Sequence, residues 1–211
     1  MSESDWRAQR KRGMAAIAAA GLAAVALWFA LTRLLPPLAG MDDLSARMLV
    51  ALKCCALAAL FCLAAGVEAV AHERLQSAAF DPLAGHETRR LRVNKQYLQN
   101  TLEQFVIFAV GLFGLAAYSA GGGAMRRVIA ATALWIVFRF VFWIGYHRSA
   151  AMRGAGAPSM AVGLLMLIYV CARVGADLEG TAGAIAVVAA FLALEALLFW
   201  SSRGPAAETR G

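Results

Sequence analysis

The chain has 211 residues, 61% of them hydrophobic and 16% charged, with a net charge of +7. An ordinary soluble domain carries about a quarter charged residues, so this composition excludes one. Nor does the positive charge mark a nucleic-acid binder, because the basic residues form separate clusters between long apolar runs.

Several of those runs approach or exceed the roughly 20 residues that cross a bilayer as a helix. In chain order they predict spans at 14–35, 45–70, 99–120, 126–147, 158–175 and 181–201. Backbone groups in lipid are satisfied only by helices or closed barrels, and these runs are too long and continuous for barrel strands. The expected fold is all-α: a polytopic transmembrane helical bundle of about six spans.

A polar tail, 1–13, holds Arg7, Arg10, Lys11 and Arg12. It resembles the charged lead of a signal peptide, but the apolar run after it exceeds the usual stretch of about 7–15 residues. That run ends in Leu34-Leu35-Pro36-Pro37 without a small-residue cleavage site, so a retained helix is expected. A turn with an Asp-rich helix start follows at 36–44. Cys54, Cys55 and Cys62 share the second run, and without a CxxC pattern they read as small buried apolar residues rather than metal ligands. The only long polar segment is 71–98, broken at Asp81-Pro82-Leu83-Ala84-Gly85. A helix restarting around Glu87 runs uninterrupted from Arg89 into the third span, with no Gly or Pro between 86 and 110. Gly121-Gly122-Gly123 is a turn, 153–158 is a second Gly/Pro connection, and 203–211 is a polar tail.

Thirteen of the twenty Lys and Arg residues lie at 7–12, 74–95, 148–153 and 203–210, which are alternate connections of six spans. By the positive-inside rule both termini are cytoplasmic; the membrane expected, with the family resemblance given below, is a bacterial-type inner membrane. Arg126 and Arg127 fall on the opposite side. Lys53, Glu68, Glu103, Arg139 and Glu195 lie in or near spans and prompt a transporter reading, but no internal repeat supports one.

Two constellations carry chemistry. Gln96, Asn100 and Glu103 share one helical face and take a carboxylate and two amides into an apolar run. Arg139, Phe142 and Tyr146 share another, with Arg139 at least a full turn inside its span. A charge at that depth needs a carboxylate, a wet cleft or a route to snorkel, and Glu103 is the nearest partner in topology. Without further context the pair reads as a packing contact between helices. Tyr146, Arg148 and Arg153 read as interfacial anchors.

Asn100-Thr101-Leu102-Glu103 before an aromatic-rich helix resembles the second-helix motif of the MAPEG family, membrane-associated proteins in eicosanoid and glutathione metabolism. Arg139 followed by Gly145-Tyr146-His147-Arg148-Ser149-Ala150-Ala151-Met152-Arg153 resembles its third-helix motif. The resemblance implies a four-helix core at 45–178, flanked by an added N-terminal helix and turn (14–44) and an added C-terminal helix (179–202). It implies a homotrimer that binds glutathione as co-substrate and a lipophilic small molecule from the surrounding membrane lipids, as a transferase or peroxidase. Carried over, Arg153 is the thiol-activating residue, while Asn100, Glu103, Tyr146, Arg139, Gln96, Arg148 and Arg74 hold or support the tripeptide. Gln96 departs from the family, which often has arginine there. That departure and the added helices favour the other reading, a non-enzymatic membrane scaffold or partner subunit.

Overall fold

The computed structural model describes residues 3–83 and 85–202, and every regular element among them is helical. α1 (Glu3–Leu34) is followed by α2 (Leu44–Ala58), which passes through a π-helical turn (Ala59–Ala64) into α3 (Ala65–Leu75). Then come α4 (Arg89–Ala117), α5 (Gly122–Arg148), the short α6 (Ala150–Arg153), a 3-10 turn (Gly154–Gly156) and α7 (Ala157–Ser201). Among the described residues, five helices are long and apolar enough to cross a membrane. Their outward faces are themselves apolar, with Leu49, Leu52, Leu57, Leu60, Val106 and Val110 all exposed. Contiguous surface of that kind suits lipid rather than water. The molecule is an all-α integral membrane protein.

The chain forms two compact units, Met1–Leu167 and Ile168–Gly211. In the first, the long helices alternate in direction. At one end, the backbone N–H of Leu38 donates to the Gly122 carbonyl (3.2 Å), and Arg47 Nη1 donates to the Ala117 carbonyl (2.9 Å). At the other, Thr88 Oγ1 donates to Glu73 Oε1 (3.0 Å), and Arg89 Nη2 donates to the His147 carbonyl (2.9 Å). This second end carries the basic segment 89–95 and is called the basic pole below. Arg126, at the opposite pole, spends one Nη1 donor on the Thr32 carbonyl in the last turn of α1 (3.2 Å). There it satisfies a helix-end acceptor that lacks an intrahelical partner.

α1 begins at Glu3, well before the expected start at 14, so the polar tail is helical over most of its length. Residues 5–12 contain no Pro or Gly and are rich in Arg, Gln, Lys and Ala, good helix formers that extend the apolar run outward. The tail expected at 203–211 lies outside the described residues. α4 starts where the sequence places it: Thr88 caps it by accepting the Leu91 N–H (3.0 Å). Glu87 accepts from Lys95 (2.7 Å) and Arg92 (3.4 Å), and the hydrogen bond from Lys95 is the chief reason its carboxyl is held below the usual range.

Helix association in lipid depends on close packing more than on hydrophobicity. Accordingly, Ala20 and Ala24 of α1 bury against Leu134 and Phe138 of α5. Trp135 of α5 is fully buried and stacks on Phe108 of α4 at 4.6 Å. The π turn between α2 and α3 is a local widening that hydropathy does not reveal; within it the Cys62 carbonyl accepts the Tyr97 hydroxyl (3.2 Å). Cys54, Cys55 and Cys62 are buried free thiols.

In the second unit α7 is interrupted at Glu179 (φ −136°, ψ 27°) and Gly180 (φ 59°, ψ −147°). Gly175 and Gly183 would lie about 12 Å apart along a straight helix. They are instead in close contact, so the chain folds back on itself there. The Gly180 conformation is one that only glycine adopts without strain. The break divides α7 into two arms of about 20 residues, each long enough to span, which accounts for six expected spans from five continuous helices.

Candidate functional site

α4 presents two overlapping faces at the basic pole, and packing against α3 and α5 decides which is interior. Asn94, Tyr97 and Thr101 are buried, whereas Gln96 and Glu103 are exposed and Asn100 sits half-buried between the faces. The stripe 96, 100, 103 is therefore split. Asn100 and Thr101 turn toward α5, and Gln96 and Glu103 form an outward polar strip with Gln99, whose Nε2 donates to Glu103 Oε1 (3.3 Å).

Arg139 is fully buried in α5. The expected pairing with Glu103 does not form: Nη2 of Arg139 donates to Asn100 Oδ1 (3.0 Å) and to Thr101 Oγ1 (2.8 Å). The physical reason is the rotation of α4, which turns the carboxylate outward and puts two neutral oxygens over the guanidinium. Removing a guanidinium from water costs several kcal/mol. Two charge-assisted hydrogen bonds and two aromatic faces offset that cost. The guanidinium carbon lies 4.4 Å from the Phe142 ring centre and 5.5 Å from that of Tyr97. Among the described residues, Nε and Nη1 of Arg139 are buried with no hydrogen-bond partner.

From Arg139 the contacts run on toward the end of α5. Phe142 packs on Tyr146 (ring centres 5.6 Å apart), and the Arg153 guanidinium lies over the Tyr146 ring at 5.2 Å. Ser149 makes this possible: its extended backbone ends α5, and its hydroxyl caps α6 by accepting the Met152 N–H (3.2 Å). The chain then doubles back and Arg153 returns beside Tyr146. One unbroken series, Asn100, Arg139, Phe142, Tyr146, Arg153, thus joins the two sequence motifs. Arg148, the last residue of α5, is exposed outside this series. Arg74 is half-buried in the last turn of α3, its Nε without a protein partner.

Several interior residues escaped the sequence reading. Tyr97 is fully buried and stacks on Trp143 at 4.4 Å. Asn94 Oδ1 accepts from Trp143 Nε1 (3.0 Å) and pairs with His147 Nε2 (3.0 Å). The spacing 94, 97, 101 held the clue, since it is helical too and lies one residue off the stripe that draws attention by its charge.

The arrangement makes a stability prediction. Thr101→Val removes a hydrogen bond to a buried charge and should cost about 1.5–3 kcal/mol, whereas Glu103→Gln on the exposed strip should stay within about 0.5 kcal/mol. Thermal unfolding in detergent measures both; a loss for Glu103→Gln larger than that for Thr101→Val would contradict this assignment of partners to Arg139.

Fold and site together define an α-helical integral membrane protein with polar side chains gathered inside its bundle toward one pole. The chain belongs to the MAPEG family, whose model matches residues 49–176, more than half of its length. Neither a curated protein nor a solved structure matches it. The matched stretch begins within α2, ends within α7 and contains the whole series from Asn100 to Arg153; α1 lies outside it.

Proposed function

We propose that this protein binds glutathione and either transfers it to a lipophilic electrophile or uses it to reduce one, as a homotrimer in a bacterial-type inner membrane with both termini cytoplasmic. The observation that carries the reading is the continuous series from Asn100 to Arg153. It offers a tripeptide with two carboxylates an amide, a phenol and a terminal guanidinium, with the amide held in place by the buried Arg139. The fit is chemical: carboxylates suit arginine donors, and Asn100, whose Oδ1 is held by Arg139, keeps its Nδ2 as a donor. The positive-inside rule supports the orientation, with the basic pole cytoplasmic. The outward strip of Gln96, Gln99 and Glu103 supports the trimer, because polar groups inside a span favour a protein partner over lipid.

A free thiol has a pKa of about 8.5, so little of it is thiolate at neutral pH. Arg153 favours the thiolate by charge and, as a guanidinium, does not itself deprotonate. The thiol proton passes to solvent, the sulfur lone pair forms the new C–S bond, and the leaving group of the electrophile departs with its electron pair.

The second reading, a non-enzymatic partner subunit, draws on Gln96, which is exposed and uncharged at the position of the family's arginine. Turnover separates the two. Purified protein with glutathione and 1-chloro-2,4-dinitrobenzene should give saturable conjugate formation above the uncatalysed rate. Glutathione binding with neither conjugate from this electrophile nor oxidised glutathione and alcohol from a lipid hydroperoxide would favour the partner subunit.

A further inference from the structure

α1 is fastened to the chain beside Arg153, and between them lies a cleft of about 380 Å³. On the α1 side it is lined by Gln9, Arg10, Met14 and Ile17; on the other, Arg153 stands in its wall. Positions 10, 13, 14 and 17 share one helical face, so a single stripe of α1 forms that wall. Gly154 seats the helix closely: a Cβ built there would lie 3.0 Å from Ile17 Cγ1 and 3.3 Å from the Gly13 carbonyl oxygen.

The chemistry of the wall changes sharply along its length. Gln9 and Arg10 belong to the basic leader, while Met14 opens the apolar run and is 60% exposed, with Ile17 44% exposed. From Arg10 to Ile17 is about 10 Å of helix. Over that distance the cleft passes from two guanidinium groups to bare apolar side chains, and no carboxylate is among the described residues lining it. An occupant that is anionic at one end and apolar at the other, lying across the polar boundary of a membrane, matches this gradient.

We propose that the cleft is a binding site for an anionic phospholipid. Its phosphate sits between Arg10 and Arg153, with Gln9 as a further donor, and its glycerol and upper acyl segments lie along Met14 and Ile17. Phosphate accepts from arginine forks in the same way as a carboxylate. A zwitterionic lipid carries its own cation beside the phosphate and gains less from two guanidinium groups. Because Arg10 comes from α1, the site belongs to the added helix and to this chain rather than to the matched core. It shares Arg153 with the proposed glutathione site, so bound lipid and glutathione compete for that guanidinium, and lipid retention measured without glutathione reads this site alone.

The test uses the full chain purified in a neutral detergent, incubated with equal amounts of dioleoyl phosphatidylglycerol and dioleoyl phosphatidylcholine, with bound lipid counted by native mass spectrometry. Phosphatidylglycerol should be retained preferentially. Arg10→Gln should lower its retention about fivefold, the effect of one basic residue close to an anionic headgroup. Arg12→Gln removes the same charge from the same helix outside the cleft and should leave retention nearly unchanged. Unchanged lipid-free melting temperatures in both variants exclude misfolding as the cause. Equal retention of the two lipids overturns the proposal. So does an equal loss in the two variants, which would mean a diffuse field, and so does displacement of the lipid by millimolar inorganic phosphate, which would mean a phosphate site.

Discussion

Gly156→Ala should be among the most damaging single-methyl changes in the chain. A Cβ at Gly156 would overlap Phe142, lying 2.6 Å from its Cα and 2.9 Å from its backbone nitrogen as well as against its Cβ. Two of these three atoms are backbone, so no rotamer change relieves the contact and the 3-10 turn must separate from α5. Gly145 is the other half of the same close approach: a Cβ there would meet the Met152 carbonyl group and the Arg153 nitrogen, the latter at 3.0 Å. These glycines let α5 and the returning chain lie backbone to backbone, which is what places Arg153 over Tyr146. Overpacking of a tight core typically costs about 1–3 kcal/mol, and contacts with backbone put both variants at the upper end. Gly21→Ala is the control, since nothing lies within 4 Å of its Cβ and helix propensity should make it about 1 kcal/mol stabilising. Thermal unfolding in detergent reads all three. A melting temperature for Gly156→Ala equal to that of the parent would mean that α5 and the 3-10 turn do not pack as described.

Arg153→Ala should lower turnover by about tenfold to a hundredfold while weakening glutathione binding far less. A neighbouring cation lowers the pKa of an acidic group by about 1–3 units, and the lower intrinsic nucleophilicity of a stabilised thiolate gives part of that gain back. Arg153 is exposed, at the far end of the series from Asn100, so its charge bears on the thiol more than on the grip at the amide end. Arg148→Ala, outside that series, should be mild. Steady-state kinetics separates rate from binding, and the ultraviolet absorbance of bound thiolate followed against pH isolates the cause. With Arg153 present the thiolate should persist to lower pH. Identical titrations in parent and Arg153→Ala would remove Arg153 from the mechanism.

The membrane fold was legible because long apolar runs constrain the backbone on their own, and an α4 unbroken from Arg89 followed from the lack of any Gly or Pro. What escaped depends on contacts distant in sequence. Charge complementarity suggested Glu103 as the partner of Arg139, but α4 carries two candidate faces one residue apart, and only its packing against α3 and α5 decides between them. Asn100 was found because it borders both faces; Tyr97 and Asn94 were missed because they lie on the less charged one. The helical start at Glu3 was hidden by polar residues that look like a tail yet favour helix. The fold-back at Glu179–Gly180 left a trace, since Gly180 divides two apolar runs, whereas the π turn at Ala59–Ala64 left none. That Arg10 and Arg153, more than 140 positions apart, line one cleft is tertiary structure alone.

Calorimetric titration of the purified full chain with glutathione, alongside Asn100→Ala, bears most directly on the central claim that the series from Asn100 to Arg153 is a glutathione site. Heat should saturate at up to millimolar glutathione, weaken with added salt because the site is cationic, and be lost or strongly reduced in Asn100→Ala. No heat and no thermal shift in the parent protein, or undiminished binding in Asn100→Ala, would contradict it.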